Sequence, residues 1–394
     1  MKKVLLTAIA LLTIASTSVF GYYGANSDWI DFLVDANQLR FRVRQMGFVL
    51  GNDMIRGVVG VRDESETQFG AIFNPDTYTP NGSATKQFLN FIPTVSAGIG
   101  YTSDIFSIGV GYNYRYHHTT FNGLTKNGYG LSEHTPVLTM TAMNDSLRIA
   151  IPVQVAAKNG DIAAATDGYK YLGVSMDPQI RYYTGIEAFN EIRLYVKYGM
   201  NQLENTAVAN SKQKAESFGF DFRAYFGATV GDVALKPFLK VTYDTALNAK
   251  GKIAYSYNTG AAATYGDTYG VKSSSAIVFV DDGTGTGYEH NPWALNILPT
   301  LGMSANSDIV SIYVEAGLGY GAVDTGYKFN SANAANTGIL HSMRWNAYGE
   351  IYINPVKDLQ WYFEAEIGNG GGAFTKNTLQ FNGATGITWY LPAL

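Results

Sequence analysis

From Leu39 to the end of the chain the sequence repeats one unit: two alternating segments joined by a tight turn, then a long polar connection. In each segment one parity is apolar or aromatic and the other carries Gly, Ser, Asn, Gln or charge. Strict alternation of that kind is the signature of strands that meet lipid on one face and water on the other. The clearest case spans Phe91 to Tyr116, where Val95, Ala97, Ile99 and Tyr101 alternate with Ser96, Gly98 and Gly100. After the turn at Thr102-Ser103-Asp104, Phe106, Ile108, Val110, Tyr112 and Tyr114 alternate with Ser107, Gly109, Gly111 and Asn113. The turn is too short for anything but an antiparallel hairpin.

The same arrangement recurs at Gly51 to Asp53, Asn144-Asp145, Glu187 to Asn190, Gly231-Asp232, Asn306 to Asp308 and Pro355 to Asp358, making seven tight turns. Between them lie longer connections, among them Glu64 to Asn90, His117 to His134, Asn201 to Lys214, Thr245 to Pro292 and Asp324 to Leu340. Short turns at one end and long connections at the other are the sidedness of an outer-membrane β-barrel, periplasmic and extracellular respectively. No run approaches the length of a transmembrane helix after residue 21, and only helices or closed sheets satisfy their backbone in lipid. Charged residues at 15%, aromatics at 14% with 28 Tyr, and a mean hydropathy of −0.05 agree with strands that are apolar at every second position.

The expected fold is therefore all-β, a single antiparallel transmembrane barrel. Seven hairpins and the closing strand Leu379 to Leu391 give fifteen strands; a sixteenth must precede Leu39, or one hairpin is misread and the number is fourteen. Trp29 to Val34 is the candidate, equally readable as a short helix capped by Ser27 or as a strand, so that residues 22–38 form either a periplasmic helix or the first strand. Parity slips between Arg44 and Phe48, implying a bulge or a strand boundary. Pro93, Pro178, Pro237 and Pro299 fall within proposed strands and are expected at strand ends or bulges. Met1-Lys2-Lys3 followed by the apolar run Val4 to Ala15 has the layout of a signal peptide, with residues 1–21 removed and residues 22–394 forming the barrel.

Placing the non-apolar parity in the lumen puts Arg40, Arg42 and Arg44 on one face, with Arg56 and Arg62 on the next strand and Arg344, Glu350, Glu364 and Glu366 arriving from the closing side. Such charges either pair and fill the interior or form basic and acidic walls that polarise a pore. No cofactor and no metal site is expected. Asp281-Asp282-Gly283 lacks the spacing of a calcium loop, and His117, His118 and His134 bracket an external loop without ligand spacing. His341 beside Ser342 has no third outward partner, so no enzyme is expected. The chain has no Cys, and its net charge of −4 gives no basic patch for nucleic acid.

Ser27-Asp28-Trp29-Ile30-Asp31-Phe32-Leu33, the stretch Gly47-Phe48-Val49-Leu50-Gly51-Asn52 and the ending Ile387-Thr388-Trp389-Tyr390-Leu391-Pro392 together resemble the variable surface protein family of spirochaete outer membranes. The resemblance implies a surface-exposed antigen of the outer membrane and supplies no functional residues. Two roles follow as expectations: a porin-like barrel passing small solutes or ions, or a plugged barrel whose loops meet host factors or antibodies. Outer-membrane lipids and further copies of the chain complete the partners such a barrel admits; nucleic acid is not among them.

Overall fold

The computed structural model describes residues 29–42, 45–63, 76–78, 86–88, 93–117, 131–161, 168–205, 211–256, 261–262, 277–281, 283, 287–326, 338–369, 380–392 and 394. Sixteen antiparallel strands form the wall. The first eight are β1 (Gln38–Arg42), β2 (Gln45–Gly51), β3 (Ile55–Asp63), β4 (Pro93–Tyr101), β5 (Phe106–His117), β6 (Leu131–Ala142), β7 (Leu147–Asp161) and β8, which comprises Gly168–Met176 and Gln179–Ile186. They are followed by β9 (Phe189–Asn205), β10 (Gln213–Tyr225 with Ala228–Val230), β11 (Val233–Leu247), β12 (Trp293–Asn306), β13 (Val310–Asp324), β14 (Ile339–Val356), β15 (Leu359–Gly368) and β16 (Gln380–Tyr390).

Each strand pairs with its sequence neighbours, and the circuit closes where β1 meets β16 in the register Gln38↔Tyr390 to Arg42↔Gly386. Closure removes both sheet edges, so every strand finds its backbone partners inside the wall. The distribution of side chains is inside out. Phe41, Val59, Val95, Ile99, Val110, Leu318, Met343 and Trp389 are exposed on the outer surface, whereas Ser96, Asn113, Thr139, Arg181, Glu191, Asn201, Ser217 and Glu350 are buried on the inner one. An apolar exterior around a polar interior is what a barrel in hydrocarbon requires. A carboxylate placed on that outer face tests it: Val110→Glu is expected to weaken equilibrium folding into lipid by somewhat less than the ~2–4 kcal/mol that a basic residue costs at mid-bilayer.

The sixteenth strand arises differently from the expectation. The slip near Arg44 is a strand boundary: Arg42 faces Gln45 in an antiparallel pair, so the direction of the chain is reversed between β1 and β2 and what reads as one strand is two short paired ones. Lumen-facing residues are even-numbered in β1 and odd-numbered in β2, which is the parity flip a reversal produces. Trp29 to Val34 is neither strand nor helix. It is a tight turn closed by Val34 N–H to Asp31 O at 3.0 Å and Asp35 N–H to Asp31 O at 3.0 Å. With β1 already bonded to β16, the wall has no free edge for a further strand. Ser27 and the proposed signal residues lie outside the described residues.

The prolines sit where the missing donor does least harm. Pro93 opens β4, and Pro178 lies in the interruption of β8. Pro237 is opposite the interruption of β10, where its carbonyl accepts from Phe226 N–H at 2.8 Å. Pro299 lies where the β12–β13 pairing skips from Ile297↔Tyr320 to Thr300↔Gly317. At the long-connection end, Lys252–Ser256 and Ile277–Asp281 pair with each other, and Phe279 also meets Lys214 of β10. This part of the longest connection extends the sheet above the wall, resting on a cluster of Ala215, Ala246, Ala249, Phe279 and Tyr288.

The lumen as candidate functional site

Two features organise the lumen, a seat and a charged ladder. The seat is glycine. Inward-facing Gly98 and Gly100 of β4 stand directly opposite Gly111 and Gly109 of β5, leaving a patch of bare backbone two strands wide. The segment Trp29–Asn37 lies on it. An added Cβ would come within 2.3 Å of the Trp29 ring at Gly111, 2.6 Å at Gly98, and 2.3 Å of Leu33 at Gly100. Trp29, Ile30, Phe32 and Leu33 are buried there against Val49, Val58, Val137 and Ala150. The Trp29 indole N–H donates to Asn113 Oδ1 at 3.2 Å, and the Phe32 ring meets Trp29 edge to face with centroids 5.6 Å apart. At the end of the segment the Asn37 amide donates to the carbonyls of Gly51 and Pro392 at 2.8 and 2.9 Å. That clasp ties the segment to the first short turn and to the end of the closing strand.

The ladder is basic. Arg148, Arg181, Arg193, Arg223 and Lys240 stand opposite one another, one from each of β7 to β11. Like charges directly opposite across strands repel, and carboxylates interleave to offset them. Asp31 of the seated segment bridges two rungs, its oxygens each 2.7 Å from a guanidinium nitrogen of Arg148 or Arg181. Glu191 holds Arg193 at 2.6 Å, and Asp221 holds Arg223 at 2.8 Å and Lys240 at 3.7 Å. Tyrosine faces supply further stabilisation: Arg148 lies 4.8 Å from the Tyr183 ring centre, Arg193 4.6 Å from Tyr225 and Arg223 5.2 Å from Tyr195.

Asp31 and Asp35 lie outside the spanning strands. Burial alone pushes the Asp31 carboxyl up, but Arg181 and Arg148 more than offset it and hold it below the ordinary 3.8. Asp35 is pushed up to about 6 by burial, which Arg40, Arg148, Arg56 and Arg181 oppose without overcoming.

The residues that sequence parity assigns to the lumen are distributed unevenly. Glu350 and Glu364 are cross-strand partners on β14 and β15, and the Tyr348 hydroxyl donates to both. Glu366 stands opposite Tyr348 one step along. Arg42 lies over the Tyr362 ring at 4.2 Å, so the closing strands bring one cation beside the acidic group. Arg40 bonds Gln38 at 2.8 Å. Arg344 is remote from these and donates to Asn296 at 3.0 Å. Arg56 and Arg62 sit at opposite ends of β3, paired with Gly51 and Gln45, and Arg44 lies outside the described residues.

Sequence reasoning missed the ladder. Its signal was present: Arg223 and Lys240 are equidistant from the turn Gly231-Asp232, and hairpin register places equidistant residues face to face. It also missed Glu315, whose hydroxyl partner is Tyr313 at 2.7 Å and which lies within Coulombic range of Arg223 and Lys240. His134 contacts the Tyr112 hydroxyl through Nδ1; His118 is outside the described residues, and no metal-binding group occurs among the described ones.

No curated protein matches the sequence. Among solved structures, the chain is similar to the translocator domain of the autotransporter NalP from Neisseria meningitidis, at 14% identity over 66% of this chain and 82% of that one with a TM-score of 0.32. It is similar to the β domain of the Bordetella autotransporter BrkA at 10% identity, 91% and 100% coverage and a TM-score of 0.32. A loop-deletion form of OmpT, an outer membrane protein of Vibrio cholerae, matches at 11% identity, 90% and 96% coverage and a TM-score of 0.30. Scores this low carry no argument, and the barrel assignment rests on the closed ladder. The model of the Serpulina hyodysenteriae variable surface protein family matches residues 2–390, nearly the whole sequence, and the chain belongs to that family.

Proposed function

We propose that this outer-membrane barrel is a porin-like diffusion channel for small charged solutes, with its long connections displayed at the cell surface as the variable antigen. The observation that carries the reading is the division of the lumen wall by charge. Cations run along β7 to β11, and Glu315, Glu350, Glu364 and Glu366 gather on β13 to β15. Neighbouring basic and acidic arcs of this kind, with only β12 between them, impose a field across the lumen on a solute and sort it by charge. Family membership supports the surface role, and no catalysis is assigned.

Bilayer recording tests it. Lys240→Gln is expected to shift the reversal potential in a salt gradient toward cation preference and Glu364→Gln toward anion preference, each by roughly twofold in permeability ratio. A reversal potential unmoved by both substitutions removes the polarised lumen.

The seated segment favours a second reading, a plugged barrel acting through its loops on host factors or antibodies. A correctly folded barrel that never conducts, in which loop deletion abolishes host binding, selects this alternative.

A further inference from the structure

The Arg148–Arg181 pair is built like a receptor for a carboxylate. One carboxylate bridges it, each oxygen taking a different guanidinium at 2.7 Å, the charge-assisted geometry in which such groups are recognised. Arg181 is 1% exposed, and its Nε and second terminal nitrogen have no hydrogen-bond partner among the described residues. The pair therefore has donors to spare beyond those Asp31 uses.

The occupant, in contrast, is not part of the wall. Asp31 belongs to a nine-residue segment held by side-chain contacts and the Asn37 clasp, while the sixteen-strand ladder closes without it. Leaving the seat breaks no strand pairing.

We propose that Arg148 and Arg181 form a binding site for small dicarboxylates on the lumen wall, and that Asp31 fills it in cis until such a solute competes for it. This deepens the diffusion reading and rests on it for the solute's arrival. Because a tethered group has an effective concentration on the order of millimolar, free dicarboxylate must exceed that range to displace it. The recognised solute offers the same chemistry as Asp31, and its second carboxylate would meet the Arg181 donors that Asp31 leaves unused.

The chain has no Cys, so Leu33→Cys with Gly100→Cys introduces one unambiguous pair. The Gly100 Cβ direction meets the Leu33 side chain, and the rate of disulfide closure in the detergent-folded barrel reads the seated population. Roughly 50 mM succinate is expected to slow closure about tenfold relative to sodium chloride of equal ionic strength, and Arg181→Gln in the same background to abolish the difference. If the pair closes poorly, alkylation of Leu33→Cys alone by a charged maleimide reads the same population with opposite sign. Equal effects of succinate and chloride, or none, overturn the proposal. Neither assay needs conduction, so a silent barrel with succinate-dependent closure refutes the diffusion reading and leaves the site standing.

Discussion

Replacing Gly98 and Gly111 together by Val evicts the Trp29 segment from the lumen while the barrel still folds. The two added Cβ atoms alone would lie 2.6 and 2.3 Å from ring carbons of Trp29, far inside van der Waals contact. The indole is a rigid plane held by Asn113 and Phe32, so moving it away from both positions gives up those contacts. Overpacking costs about 1–3 kcal/mol at one site. Two such sites together come to roughly 2–6 kcal/mol.

Val is itself a good strand residue, and the cost falls on the docked segment. A thiol introduced by Leu33→Cys, at a position buried in the parent, is expected to alkylate at least about thirtyfold faster in the double variant, since each 1.4 kcal/mol is a factor of ten. Heat-dependent gel migration should be unchanged. Gly57→Val serves as control, because a Cβ there meets only backbone oxygens at 3.8 and 3.9 Å. A Leu33→Cys thiol as protected in the double variant as in the parent would contradict the seat.

The wall was legible in the sequence because its cause is local. Alternation in Val95 to Tyr101 and Phe106 to Tyr114 places each side chain without reference to any distant residue, and the seven short turns fix the hairpin partners. The closing strand was legible for the same reason. What escaped was set by contacts distant in sequence. Gly98 and Gly111 fit the wet parity as small residues, but they are small because residue 29 lies on them, which no spacing reveals. Asp31 reads as one carboxylate in an apolar stretch; its partners are 117 and 150 residues away. The β1–β2 pairing was half visible, since parity recorded the slip but could not separate a bulge from a reversal until β1 was seen bonded to both β2 and β16. Of the charges assigned to the lumen by parity alone, Glu350 and Glu364 meet because their strands are consecutive. Arg56, Arg62 and Arg344 stay apart because parity fixes the face and leaves the height undetermined.

Asp31→Asn is expected to unseat the segment more completely than any single glycine substitution. The change keeps the volume and removes the charge that bridges two buried guanidinium groups, and breaking a buried pair from one side costs about 3–5 kcal/mol. The partial exposure of Arg148 reduces this, so alkylation of the Leu33→Cys thiol should rise about a hundredfold, near the lower bound. Arg148→Gln should do less, since Arg181, the more buried partner, keeps its carboxylate.

Acid reproduces the charge loss only at its extreme. Asp31 titrates below 3.8 when seated, so its contribution is present above that value and is lost as pH falls through the lowered one. Asp35 acts in the opposite sense: its seated value is about 6 against 3.8 when free, so seating takes up a proton between them and strengthens as pH falls through that window. Normalised to the Gly98→Val, Gly111→Val variant at each pH, the Leu33→Cys thiol should become more protected as pH falls from about 6 toward 3.8, then less protected well below that. Asp35→Asn abolishes the first arm and Asp31→Asn the second. A protection profile flat across both ranges would mean that neither carboxylate changes its surroundings when the segment docks, which its position between Arg40, Arg56, Arg148 and Arg181 does not allow.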